Sequence, residues 1–214
     1  MGRLFPLVLV ASFALLTAAT AAPVIHETAS FVQSTPSAGY DLRDNQMAGA
    51  RFTVTQPTEV TAVGGQLYAT GTLFGAIVTL GADDLPMPNP APPSALSGIL
   101  AMTTFSTGST QHTDFRAPLS ITLAPGTYGL VFGGAGTGFS GRMALTGNPV
   151  PGAAIITNSG ALWRDLNINP YNRMRFVIEG QAVPEPATAF LMPTAVIAFF
   201  FRRHRVPLLV CPAE

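Results

Sequence analysis

The sequence predicts an all-β fold, an antiparallel β-sandwich of jelly-roll type, flanked by an apolar segment at each end. Three observations predict it. Hydrophobic residues recur with period two through the middle of the chain. Clusters of Gly, Pro and Thr break that recurrence into short runs. No long 3.6-residue period occurs between the two ends. Successive side chains of a strand face opposite sides, so each run can bury one face while the residues between them meet water.

The runs follow in order. Phe52 and Val54 alternate with Thr, and Phe74, Ala76, Val78 and Leu80 share one strand face. Leu119, Ile121 and Leu123 make the next face, and Tyr128, Leu130 and Phe132 follow it across the Pro-Gly turn Ala124-Pro125-Gly126-Thr127. Met174, Phe176 and Ile178 close the domain. Turn residues separate these runs at Gln56-Pro57-Thr58, Gly64-Gly65, Gly108-Ser109 and Gly133-Gly134. About eight or nine short strands at this spacing fit a sandwich. Residues 83–98 hold five prolines and read as a surface excursion of polyproline character within a single domain.

That domain spans residues 22–182, about 160 residues, which is enough to bury a core. It holds seven Arg against nine Asp plus Glu, and the whole chain has no Lys. No basic patch is available to neutralise phosphates, so nucleic acid is excluded as a partner. The single cysteine, Cys211, lies beyond the domain. Disulfides, thiol catalysis and cysteine-ligated zinc are thereby excluded from it.

The ends carry different signals. Arg3 precedes the apolar stretch Leu4–Leu16, and Ala19-Thr20-Ala21 is a small-x-small site before Ala22. Residues 1–21 therefore read as a secretory signal peptide. At the other end stands Val183-Pro184-Glu185-Pro186-Ala187-Thr188; from Ala187 to Phe201 the chain has 15 residues without charge, and Arg202, Arg203 and Arg205 follow. A helix of that length spans about 22 Å, against about 30 Å of bilayer hydrocarbon. The segment is short for a permanent anchor, and the basic cluster would stop transfer and hold the C-terminus inside. Residues 206–214 then form a cytoplasmic tail.

This ordered end, Pro-flanked Glu, membrane segment and Arg cluster, resembles the PEP-CTERM sorting signal. The resemblance implies export by the Sec machinery of a Gram-negative bacterium and transient insertion in its inner membrane. It implies recognition by exosortase, a membrane protein with a cysteine-protease-like site, with Pro184, Glu185 and Pro186 as the recognition motif. It further implies a destination at the cell envelope, the outer surface or the extracellular matrix, in organisms that make extracellular polysaccharide. Chains of that family usually end at or just after the basic cluster, whereas this one continues through Val206–Glu214. The phrases Ala50-Arg51-Phe52-Thr53-Val54, Glu59-Val60-Thr61-Ala62-Val63 and Leu123-Ala124-Pro125-Gly126-Thr127-Tyr128 are similar to the exported "choice-of-anchor" β-domains, which have no agreed activity.

Candidate chemistry inside the domain is sparse. Gly136-Thr137-Gly138-Phe139-Ser140-Gly141 matches G-x-G-x-x-G but leads into no helix, so it offers no helix N-terminus to a pyrophosphate. Asp165, Asn167 and Asn169 supply the first oxygen ligands of a calcium loop, yet Pro170 stands where Gly is required and Phe176 where a bidentate acid is required. They remain a candidate for another kind of Ca²⁺ site; no other cofactor is expected. Asp83-Asp84 and Asp41, Asp44 and Asn45 read as solvated turn residues. Only His26 and His112 fall in the domain, too few for a three-His zinc site, and His112 with Asp114 reads as a surface pair. Trp163, with Arg164 and Tyr171, is either a stacking platform for a sugar ring or a core tryptophan. The leading expectation is a non-enzymatic exported surface or matrix protein. The alternatives are a carbohydrate-binding module, assisted by Ca²⁺, and a small secreted hydrolase using two carboxylates.

Overall fold

The computed structural model describes residues 22–33, 39–43, 45–87, 96–109, 111–136, 140–159 and 162–184. The predicted signal peptide, the sorting motif from Glu185 onward, the segment 187–201, Arg202, Arg203, Arg205 and the 206–214 tail lie outside the described residues. Among those described, nearly everything is strand and no α-helix occurs; in particular, no helix is long and apolar enough to cross a membrane.

Two six-stranded antiparallel sheets make up the fold. Sheet one holds β1 (Val24–Glu27), β3 (Gly39–Leu42), β5 (Thr58–Thr70), β8 (Thr113–Leu123), β10 (Ser140–Ala144) and β14 (Phe176–Ala182). Sheet two runs in the order β13 (Trp163–Asp165), β12 (Ala154–Ser159), β4 (Gln46–Val54), β9 (Gly126–Gly134), β6 (Leu73–Thr79) and β7 (Ile99–Phe105). A short ladder joins β2 (Ala29–Ser30) to β11 (Asn148–Pro149). The 13-residue β5 organises sheet one, with β8 along one side and β14 then β10 end to end along the other.

The period-two residues explain the main core. Val60, Val63 and Leu67 of β5, Leu119 and Leu123 of β8, and Phe176 and Ile178 of β14 bury in one cluster with Phe52 and Val54 of β4 and Leu130 and Phe132 of β9. Phe132 stacks on Phe176 with ring centroids 5.8 Å apart, joining a strand of one sheet to a strand of the other. Each such side chain, fully buried, contributes about 1.5–3 kcal/mol.

Three sequence expectations are corrected. Gly64-Gly65 is not a turn; both residues sit inside β5. A Cβ on Gly64 would lie 2.0 Å from the Phe115 carbonyl oxygen and 2.7 Å from Arg116 Cδ, so the glycine clears a path for the arginine side chain. Gly133-Gly134 is not a turn either; both residues are the last two of β9 and pair with β6. And β6 is buried on both faces. Leu73 and Ile77 point into the main core, while Phe74, Ala76 and Val78 join a second cluster with Met47, Val131, Ile156 and Trp163. The Pro-rich excursion accounts for this in part: Pro86 near its start is buried, and Leu96 near its end belongs to the second cluster.

Candidate functional site

The polar groups of the described residues gather in two places. The first is the outer face of sheet one. Arg175, 9% exposed in its side chain, bonds Glu27 at 3.0 Å and also Asp114, and Arg116 bonds Asp114 at 2.9 Å and Glu179 at 2.7 Å. Gly64 opposes Arg116 across the ladder, and its missing side chain lets the guanidinium cross β5 to reach Glu179 on β14. The guanidinium of Arg116 loses solvation on burial, but its bonds to Asp114 and Glu179 more than offset that and hold its pKa above the usual value. Every charge in this group is paired, which makes it a clamp between β1, β8 and β14. His112 does not join Asp114. It packs against Tyr68 with ring centroids 4.9 Å apart, and burial, reinforced by Arg142, lowers its pKa.

The second place is a cavity of about 270 Å³ where β12 ends short of β4. β12 pairs with β4 only as far as Arg51, so Phe52, Thr53 and Val54 have no neighbour on that side among the described residues. β1 of sheet one borders the gap and contributes His26. The walls are Arg51, Phe52 and Thr53 of β4, Thr127 of β9, Asp84 of the loop after β6, and Gly152 and Ala154. A second cavity of about 220 Å³ shares Thr53 and extends to Ile25, Gln56 and Ala182.

Local structure fixes these groups. Arg51 Nη2 donates to Asp165 Oδ1 at 2.6 Å, which anchors the guanidinium over the sheet. The Thr53 and Thr127 hydroxyls face each other across the ladder at 3.0 Å. Asp84 is held in the left-handed region at φ 59° by a tight loop, in which its own N–H donates to Gly81 O and the Gly81 N–H donates to Leu85 O. Asp tolerates that conformation better than most residues, and its carboxylate makes no hydrogen bond or ion pair among the described residues. The His26 ring lies 5.8 Å from the Phe52 ring; burial lowers its pKa against the opposing pull of Glu27, so it is neutral at pH 7. Its Nε2 is buried without a hydrogen-bond partner.

The residues singled out from sequence are dispersed. Trp163 is 5% exposed and packs in the second cluster, so its ring is not presented to a ligand. Arg164 points to the opposite face and is exposed, and Tyr171 packs against the main core, edge-on to Tyr40 at 6.1 Å. The three form no platform. Trp163 Nε1 and both side-chain polar atoms of its cross-strand neighbour Asn158 are buried without hydrogen bonds. Asp165 is committed to Arg51, and Asn167 and Asn169 are exposed. No group of three or more acidic, His or Cys side chains able to hold a metal occurs among the described residues. The Gly136 segment leads into β10, a strand, as expected. Val183 and Pro184 are exposed directly after β14.

His26, Thr53 and Thr127 escaped sequence reasoning because they converge from two sheets. The one local signal was the Thr-rich alternation of β4. Comparison with protein-family models finds no match to this chain, and comparison with curated proteins finds none either.

Proposed function

We propose that this protein is an exported, non-enzymatic β-sandwich of jelly-roll type, sorted at the cell envelope through its C-terminal segment by an exosortase-type membrane protein. The observation that supports this reading is where the last described strand ends. β14 ends at Ala182, the Val183 N–H donates to Pro57 O at 2.8 Å, and Pro184 is already exposed. The Val183-Pro184-Glu185-Pro186-Ala187-Thr188 motif thus begins directly after β14, and its first two residues are exposed. The other end fits the same scheme. β1 begins two residues after Ala22, and Gly180 N–H donates to Pro23 O, so the start of β1 and the end of β14 lie side by side. The sandwich is supported by the cluster shared between sheets, and the jelly-roll character by the repeated crossing of successive strands from one sheet to the other.

The hydrolase alternative has little geometric support: Asp84, which lines the cavity, and Asp165, which pairs with Arg51 of its wall, are both exposed. A carbohydrate-binding surface built on Trp163 loses its basis with the burial of that ring.

The test is processing in a host carrying an exosortase. An epitope fused after Glu214 should be lost from the wild-type protein and retained in a Pro184→Ala, Glu185→Ala, Pro186→Ala variant. Equal loss or equal retention in the two would overturn the proposal.

A further inference from the structure

We propose that the cavity bounded by His26, Arg51, Thr53, Asp84 and Thr127 binds a small, neutral, polyhydroxylated molecule of the size of a single sugar ring. This site is independent of the sorting reading and of the Trp163 surface. Four features point to that chemistry. The lining offers donors and acceptors of both kinds: the paired threonine hydroxyls, the Arg51 guanidinium and Asp84, whose carbonyl oxygen accepts from Arg51 Nη1 at 3.5 Å. The threonines and the arginine stand on strands and Asp84 in a hydrogen-bonded loop, so little ordering is required on binding. The Asp84 carboxylate has no hydrogen-bond or ion-pair partner among the described residues, and its backbone is held in a left-handed conformation, the kind of locally unfavourable backbone that concentrates at ligand sites. A carboxylate with two free oxygens is suited to accept from adjacent hydroxyls.

Charge excludes the other ligand classes. The Arg51 guanidinium is matched by Asp165, and Asp84 leaves the site with one guanidinium against two carboxylates. His26, half-buried and with its pKa lowered by desolvation, adds little positive charge at pH 7. Phosphates, sulfates and uronates would meet net negative charge, and a purely apolar ligand would strand the polar lining. At about 270 Å³ the cavity is small for a drug-sized ligand and suits a single ring.

The experiment is amide-resolved NMR titration of the purified exported protein with D-glucose, D-mannose, glycerol and D-glucuronate. A neutral hexose should saturate below about 0.1 M and shift the amides of residues 51–53, 84 and 127. Asp84→Asn should weaken that binding at least ~10-fold, and Thr53→Val combined with Thr127→Val should weaken it similarly with an unchanged melting temperature. The double variant keeps the test open if Asp84→Asn disturbs its loop. Absence of saturable binding by any neutral probe, tighter binding of glucuronate than of glucose, or undiminished affinity in the threonine variant would each overturn the proposal.

Discussion

The outer faces of the two sheets are built on opposite plans. Sheet one presents ion pairs, with Arg175 and Arg116 bridging Glu27, Asp114 and Glu179 over a strand that carries Gly64. Sheet two buries its outer face as a second apolar cluster around Phe74, Val131, Ile156 and Trp163, in contact with Leu96 at the end of the Pro-rich excursion. The same period-two sequence logic thus serves two different environments. What decides between them is whether another segment of chain crosses the face, and strand periodicity carries no information about that.

The comparison can be broken most severely at Phe74. If the outer cluster of sheet two is a true core, Phe74→Ala should cost about 3–5 kcal/mol in urea unfolding, as much as Phe132→Ala in the cluster between the sheets. A cost under about 1 kcal/mol would make that face a surface. Gly64→Ala tests the plan of sheet one. The added Cβ meets backbone at 2.0 Å, so a loss of about 1–3 kcal/mol is expected, where the same change at an open position such as Gly108 would strain only the turn. Arg175→Met should cost about 1–2 kcal/mol, since Asp114 keeps Arg116 and Glu27 keeps partial solvation. Asp165→Asn, at an exposed pair, should change stability by less than about 1 kcal/mol.

Acid separates the two histidines from the rest. Both His26 and His112 have pKa values lowered from 6.5 by burial, so the folded state binds fewer protons than the unfolded one. Their contribution is fully present above the unfolded pKa and is lost as pH falls from about 6.5 towards the folded values. Melting temperatures of His26→Gln and wild type, compared between pH 7.5 and pH 5, should converge towards the acid end; a constant difference would deny the burial effect.

How much of this was legible follows from where each signal resides. The all-β class and the inward faces of β4, β8, β9 and β14 follow from local alternation, because Phe52, Leu119, Leu130 and Phe176 each have apolar residues two positions away. The burial of Trp163 and the second face of β6 were not legible, since both lie in a cluster with Leu80, Leu85 and Leu96, which no strand period connects to them. Gly64-Gly65 read as a turn because glycine pairs usually mark one; here the demand for glycine comes from Arg116 and from the Arg175 backbone on neighbouring strands. The cavity joins His26 to Thr53 and Thr127, residues distant in sequence and on two sheets, and no spacing rule connects them.

The proposed sorting requires that both ends be removed from the domain, and the intact mass of the protein recovered from the cell envelope tests it most directly. The account predicts a chain that begins at Ala22 and ends before the cluster of Arg202, Arg203 and Arg205. A mass that retains the sequence through Cys211 to Glu214 on most of the recovered protein would contradict it.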